Sequence, residues 1–124
     1  FPYTTLFRSE EEMSEAEFVA AVLRIYVDLP DTPLRPTATD QVTARRLFAD
    51  GVRLTLVESA LLLGTLRRLH RDATLPPLSK VRSLAYFRPV VEELLLQPLP
   101  EGYLDYLRLK LRRAASCPEK YVSS

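Results

Sequence analysis

Prolines divide this chain before any other residue type does. Pro30, Pro33 and Pro36 fall within seven positions, Pro76 and Pro77 are adjacent, and one residue separates Pro98 from Pro100. Each group removes backbone donors and fixes φ, so neither a helix nor a central strand can run through it. Regular structure must therefore form in the intervals between them, and there the apolar residues recur at helical spacing.

In the first interval Ser14-Glu15-Ala16-Glu17 is a capping-box sequence, and Phe18, Val22, Ile25, Tyr26 and Leu29 fall on one helix face, which predicts a helix over about 15–28. Residues 29–36 then form a stiff extended connection. Thr37, with Asp40 three residues on, predicts the next N-cap, followed by Val42, Ala44, Leu47 and Phe48 and a stop at Asp50-Gly51. Thr55-Leu56-Val57-Glu58 reads as a second capping box with Leu54 as its hydrophobic staple. It opens the most apolar stretch of the chain, Ala60, Leu61, Leu62, Leu63, Leu66 and Leu69. This third helix is expected to be the central one, and Gly64 inside it to allow a close helix crossing.

A loop over 72–79 precedes a helix restarting at Ser79 or a neighbour and carrying Val81, Leu84, Phe87, Val91, Leu94 and Leu95. Pro89 must either kink that helix near residue 88 or occupy the first turn of a separate one. A last helix over about 101–114 sets Leu104, Leu107 and Leu111 on one face, with Tyr103 alongside and Arg108, Lys110, Arg112 and Arg113 largely off it. The fold class expected is all-α: a single small bundle of about five helices over residues 10–115 with Pro-rich connections, and a flexible tail over 116–124.

Composition sets the outer bounds. With 124 residues, 47% hydrophobic and 27% charged, the chain suits one packed domain and is too apolar for a disordered one. A single cysteine, Cys117, excludes a disulfide framework, and no run of 18 apolar residues offers a membrane span. A soluble, cytoplasmic protein with no membrane partner is expected. The net charge of +1 hides a polarity, because residues 1–62 carry 6 basic and 10 acidic side chains and residues 63–124 carry 11 and 6.

Few residues offer chemistry. His70 and Cys117 are far apart, and His70 among Arg67, Arg68 and Arg71 suits a helix C-terminus, where a cation offsets the dipole. Glu10-Glu11-Glu12 and Glu92-Glu93 splay around a helix rather than converge on a metal, and Gly51, Gly64 and Gly102 are too scattered for a phosphate-binding loop. No catalytic residue, metal or cofactor is expected, and hence no enzyme. Residues 44–61 have the spacing of a helix-turn-helix, but their second helix is Leu- and Ala-rich where base reading needs polar side chains, which favours a core hairpin. Basic residues interleaved with tyrosines remain: Tyr103, Tyr106, Arg108, Lys110, Arg112 and Arg113 on the last helix, with Arg67, Arg68, Arg71, Lys80, Arg82 and Arg88 before it. Lys and Arg neutralise phosphates, and a tyrosine ring can stack on a base; the alternative is a solvated face with the tyrosines packed inward.

Two resemblances add to this. Phe1 to Ser9 resembles, residue for residue, the in-frame translation of a widely used short-read sequencing adapter. That implies an artefactual segment, an environmental DNA source and a native N-terminal region that is missing, so residues 1–9 are set apart from the fold. Over about residues 26–95 the order of features, Tyr26, the Pro-containing link to Leu34-Arg35-Pro36-Thr37, the hairpin ending at Asp50-Gly51, the Leu56-to-Leu61 helix and a later Tyr-containing helix, resembles the DnaD-like helical domain of bacterial and phage replication-initiation proteins. Tyr86, Val90 and Leu94 fall at the spacing of that family's Tyr, Ile and Trp signature, with no Trp in this chain. The resemblance implies DNA binding through Tyr86 and the basic Arg108 to Arg113 segment. The resulting expectation is a non-enzymatic nucleic-acid-binding accessory domain in bacterial or phage DNA replication, with DNA contacted by Arg82, Tyr86, Arg88, Arg108, Lys110, Arg112 and Arg113. The alternative is a helical interaction module that docks on a protein partner or on the missing N-terminal region.

Overall fold

A computed structural model describes residues 13–71, 74–76 and 78–115. Two helices begin where the capping boxes predict. The Ser14 hydroxyl accepts from the Glu17 N–H at 3.2 Å and the Glu17 carboxylate from the Ser14 N–H at 2.9 Å, opening α1 (Glu15–Val27). Thr37 and Asp40 make the same reciprocal pair at 3.2 and 2.9 Å and open α2 (Ala38–Ala49). That helix ends at Asp50, and Gly51 takes the left-handed φ of +78° that frees the chain to turn.

The third start differs from expectation. Helix α3 (Leu54–Leu69) begins at Arg53 without a side-chain cap, so the Thr55 to Glu58 box does not form. Arg53 holds the extended cap conformation and its carbonyl accepts from the N–H groups of Leu56 and Val57, which makes Thr55 already helical. Glu58 is left to reach sideways.

The restart after the loop also moves, from Ser79 to Ser83. Residues 78–83 form no helix: among them the Val81 N–H is drawn across the bundle to the Asp31 carbonyl at 2.9 Å, and just beyond them the Leu84 N–H donates to the Asp40 carboxylate at 2.9 Å. A 3₁₀ turn (Leu84–Phe87) follows, capped by the Ser83 hydroxyl, and then α4 (Arg88–Leu96) with Pro89 in its first turn. Pro89 thus starts a separate helix rather than kinking one, where its missing N–H costs nothing. Helix α5 (Tyr103–Ala115) closes the described chain. The described residues form an all-α bundle of five helices and contain no strand.

Helix α3 is the axis of this bundle, packed by α1, α4, α5 and the 3₁₀ turn, and its Val57, Ala60 and Leu61 have no exposed surface. A helix covered on so many sides cannot lie in a major groove. Helix α2 packs on α1 and the 3₁₀ turn rather than chiefly on α3, so residues 44–61 are two core elements and not a closed hairpin. On α2, Ala44 and Leu47 are buried and Phe48 packs against the core, while Val42 is 57% exposed and Asp40 and Thr43 are buried. Gly64 does allow a close crossing: a Cβ there would lie 2.8 Å from Cδ1 of Phe87. Phe87 in turn meets the Tyr26 ring edge-on, centroids 6.3 Å apart. No helix among the described residues is long and apolar enough to cross a membrane. The adapter-like segment 1–9, the Glu10 to Glu12 run, Cys117 and the tail 116–124 lie outside the described residues.

Two expected outcomes follow from the buried polar groups. Asp40 is fully buried and its two oxygens accept from the Thr37 and Leu84 N–H groups, so Asp40→Asn sets an amide donor against one of them. Urea unfolding at neutral pH should show a loss of roughly 1–3 kcal/mol, and a loss below ~0.5 kcal/mol would contradict this role. The Tyr26 hydroxyl is buried without a hydrogen-bond partner, and burial first, then the Asp40 charge, push its pKa up to about 12. The folded state therefore holds this proton more tightly than the unfolded one. Its contribution to stability is complete below pH 10 and is lost between pH 10 and 12, by ~2–3 kcal/mol. Tyr26→Phe should be no less stable at pH 7 and should lose less stability than the unmodified chain between pH 10 and 12, as alkaline urea titrations of both would show.

Candidate nucleic-acid interface

The last turn of α3 carries Arg67 and Arg68, and Arg71 follows its C-cap His70, all toward the segment that holds Lys80, Arg82 and Tyr86. Arg68 organises their meeting. Its side chain is only 9% exposed, and its guanidinium donates to the Tyr86 hydroxyl at 3.1 Å and to the Ser79 carbonyl at 2.7 Å, with the Asp31 carboxylate 3.8 Å away. The same guanidinium carbon lies 5.3 Å from the centre of the Tyr86 ring, and Phe87 supports that ring edge-on at 5.1 Å. Tyr86 is thereby fixed in direction while 46% of its surface stays exposed.

Two clefts share Arg68, Leu78 and Tyr86. One, of about 230 Å³, runs over Gly64 and Val90 between Arg67 and Arg71; the other, of about 760 Å³, is lined by Lys80 and Arg82. Five cations border them. The carboxylates set against these cations are Glu93, which takes both terminal nitrogens of Arg67 at 2.9 and 2.7 Å, and Asp31. The hydrogen bonds from Arg67 hold the Glu93 carboxyl below its ordinary range, and the Glu93 acceptor raises the Arg67 guanidinium in return. Arg88 opens α4 on an exposed position and lines neither cleft.

The basic residues of α5 stand elsewhere and in different company. Arg108 donates to both Glu58 oxygens at 2.9 and 2.8 Å and to Asp105 at 3.2 Å, and these carboxylates raise its pKa, the Glu58 hydrogen bonds most. Arg112 lines a cleft of about 640 Å³ that it shares with Asp28, Glu58 and Asp105. Lys110 sits 5.9 Å from the centre of the Tyr106 ring, and Arg113 is exposed on the same helix. Glu58 and Leu62 face α5 while Gly64 and Arg68 face Tyr86. Residues 62 and 64 lie on nearly opposite sides of a helix, so the bundle axis separates the two basic groups.

Of the seven residues expected to contact nucleic acid, the fold thus joins Arg82 with Tyr86, leaves Arg88 outside both clefts, and holds Arg108, Lys110, Arg112 and Arg113 as a second group on α5, with Arg108 and Arg112 among carboxylates. Arg67, Arg68, Arg71 and Lys80 complete the first group. Sequence had shown them as basic residues, but not that a chain segment tens of residues away would close over them. His70 is the exposed C-terminal cap of α3, its N–H donating to the Leu66 carbonyl. No group of three His, Cys, Asp or Glu side chains among the described residues could hold a metal ion. Comparison with protein-family models, curated proteins and solved structures finds no match to this chain.

The Arg108–Glu58 pair has one partner 45% and the other 17% exposed, so water and salt weaken it. Arg108→Ala should cost no more than ~1 kcal/mol in urea unfolding at low salt, and less at high salt. A loss above ~2 kcal/mol at both salt concentrations would mean that this pair anchors α5.

Proposed function

We propose that this domain is a non-enzymatic nucleic-acid-binding module whose contact surface is the pair of clefts around Tyr86. The observation that carries the reading is a rigidly held, half-exposed aromatic ring bordered by Arg67, Arg68, Arg71, Lys80 and Arg82, with Glu93 and Asp31 the carboxylates against them among the described residues. Cations at this density neutralise backbone phosphates, and the ring offers a face or edge to a base or sugar. The resemblance at Tyr86, Val90 and Leu94 supports a setting in bacterial or phage DNA replication.

A second reading, docking on a protein partner, is favoured by one observation. Leu95 and Leu96 on α4 and Tyr106 and Leu109 on α5 are 40–84% exposed.

Fluorescence anisotropy with single- and double-stranded DNA at two salt concentrations separates the readings. Binding should weaken as salt rises, and Lys80→Ala with Arg82→Ala should lower low-salt affinity roughly tenfold and flatten the salt dependence, whereas Arg112→Ala with Arg113→Ala should change it less than about threefold. Absence of binding at low salt would overturn the nucleic-acid reading and leave the exposed leucines as the better guide.

A further inference from the structure

Arg71 was not among the residues expected to bind, and the mechanism of a merely cationic surface does not need it. Its Nε is buried and has no hydrogen-bond partner, although its side chain lines the 230 Å³ cleft together with Arg67, Arg68 and Tyr86. A buried donor of a charged group without an acceptor is costly. The neighbouring guanidiniums are already engaged, Arg67 by Glu93 and Arg68 by Tyr86 and Ser79, so neither supplies nor competes for that acceptor. Three guanidiniums around one small cleft, with one donor unspent, call for an acceptor that is anionic and has several oxygens in tetrahedral array.

Size narrows the ligand further. The cleft is smaller than the roughly 300–1,000 Å³ of sites that enclose a whole small molecule, and it is open to the wider cleft of Lys80 and Arg82 through shared walls at Arg68, Leu78 and Tyr86. That suits one phosphate with the chain continuing past it. The C-terminal end of α3 adds a partial negative charge of about half a unit, which opposes an anion; against it stand three guanidiniums, of which Arg67 faces Glu93 and Arg68 faces Asp31, so the charge in excess is that of Arg71.

We infer that this cleft is a phosphate subsite, in which the Arg71 guanidinium turns its buried Nε–H into the cleft to donate to a phosphate oxygen, and Lys80 and Arg82 receive the next phosphate along a nucleic-acid backbone. The subsite rests on the nucleic-acid reading for its physiological ligand but not for its chemistry. The test is nuclear magnetic resonance of the arginine Nε–Hε groups in the full chain, titrated first with inorganic phosphate and then with a short oligothymidylate at low salt. The Arg71 resonance is assigned by its disappearance in Arg71→Gln.

The expected result is a downfield movement of the Arg71 signal in both titrations. Arg71→Gln should then bind the oligonucleotide several-fold more weakly, with a salt slope shallower by about 0.7, the contribution of one single-strand phosphate contact. Movement with phosphate but no binding of any oligonucleotide would support the subsite and overturn the nucleic-acid reading. Oligonucleotide binding with the Arg71 signal unmoved in both titrations would overturn the subsite and leave that reading standing. No movement and no binding would overturn both.

Discussion

One buried carboxylate sets the geometry on which the surface chemistry depends. Asp40 closes the capping box of α2 with one oxygen and receives the Leu84 N–H with the other, across 44 residues of chain. The second bond fixes where the extended segment 78–83 stops and the 3₁₀ turn begins. From there the consequences are steric. The turn delivers Phe87 against the bare backbone of Gly64 and the edge of Tyr26, and with Phe87 seated inward the preceding residue, Tyr86, is left facing outward beside Arg68. A capping residue that would ordinarily serve only its own helix here decides which way an aromatic side chain on another element points.

Charge number and charge availability are different quantities in this protein. Helix α5 is the most basic stretch by sequence, yet its Arg108 and Arg112 stand among Asp28, Glu58 and Asp105. The end of α3 and the segment after it hold a comparable count, with Glu93 and Asp31 the carboxylates set against them among the described residues. Glu58 makes the difference concrete. Because α3 begins two residues earlier than its capping-box sequence suggests, Glu58 has no backbone N–H to cap and its carboxylate takes Arg108 instead.

Much of the fold could be read from local patterns, because local physics decides it. The two capping boxes at Ser14 and Thr37, the Gly51 stop, the burial of α3 and the close crossing at Gly64 each depend on a few neighbouring residues or on a strong apolar bias. The failures have the opposite character. Val42 is apolar yet exposed, because the buried face of α2 runs through Asp40, Ala44 and Leu47, and Asp40 turns inward toward Leu84, a partner no local pattern reveals. Residues 79–83 were expected to be helical because Val81 and Leu84 fit the spacing, but their N–H groups belong to Asp31 and Asp40. The candidate interface shares that fate. Its residue types were visible, whereas the grouping of Arg71 with Tyr86, and the separation of both from α5, required knowing which elements close over the end of α3.

Pro89 bears on how such a site can change over time. Backbone in the 3₁₀ turn advances by about 120° per residue and in α4 by about 100°, so the two pieces are out of rotational step. Pro89 lies one residue past their junction, where a side-chain ring in place of an N–H favours a helix start over a continuation. The heading of Tyr86 is consequently written three positions downstream of it. Were the junction to heal into one continuous helix, the tyrosine would swing around the cylinder with its own codon untouched, and the binding face would be re-aimed by a residue that contacts nothing bound there.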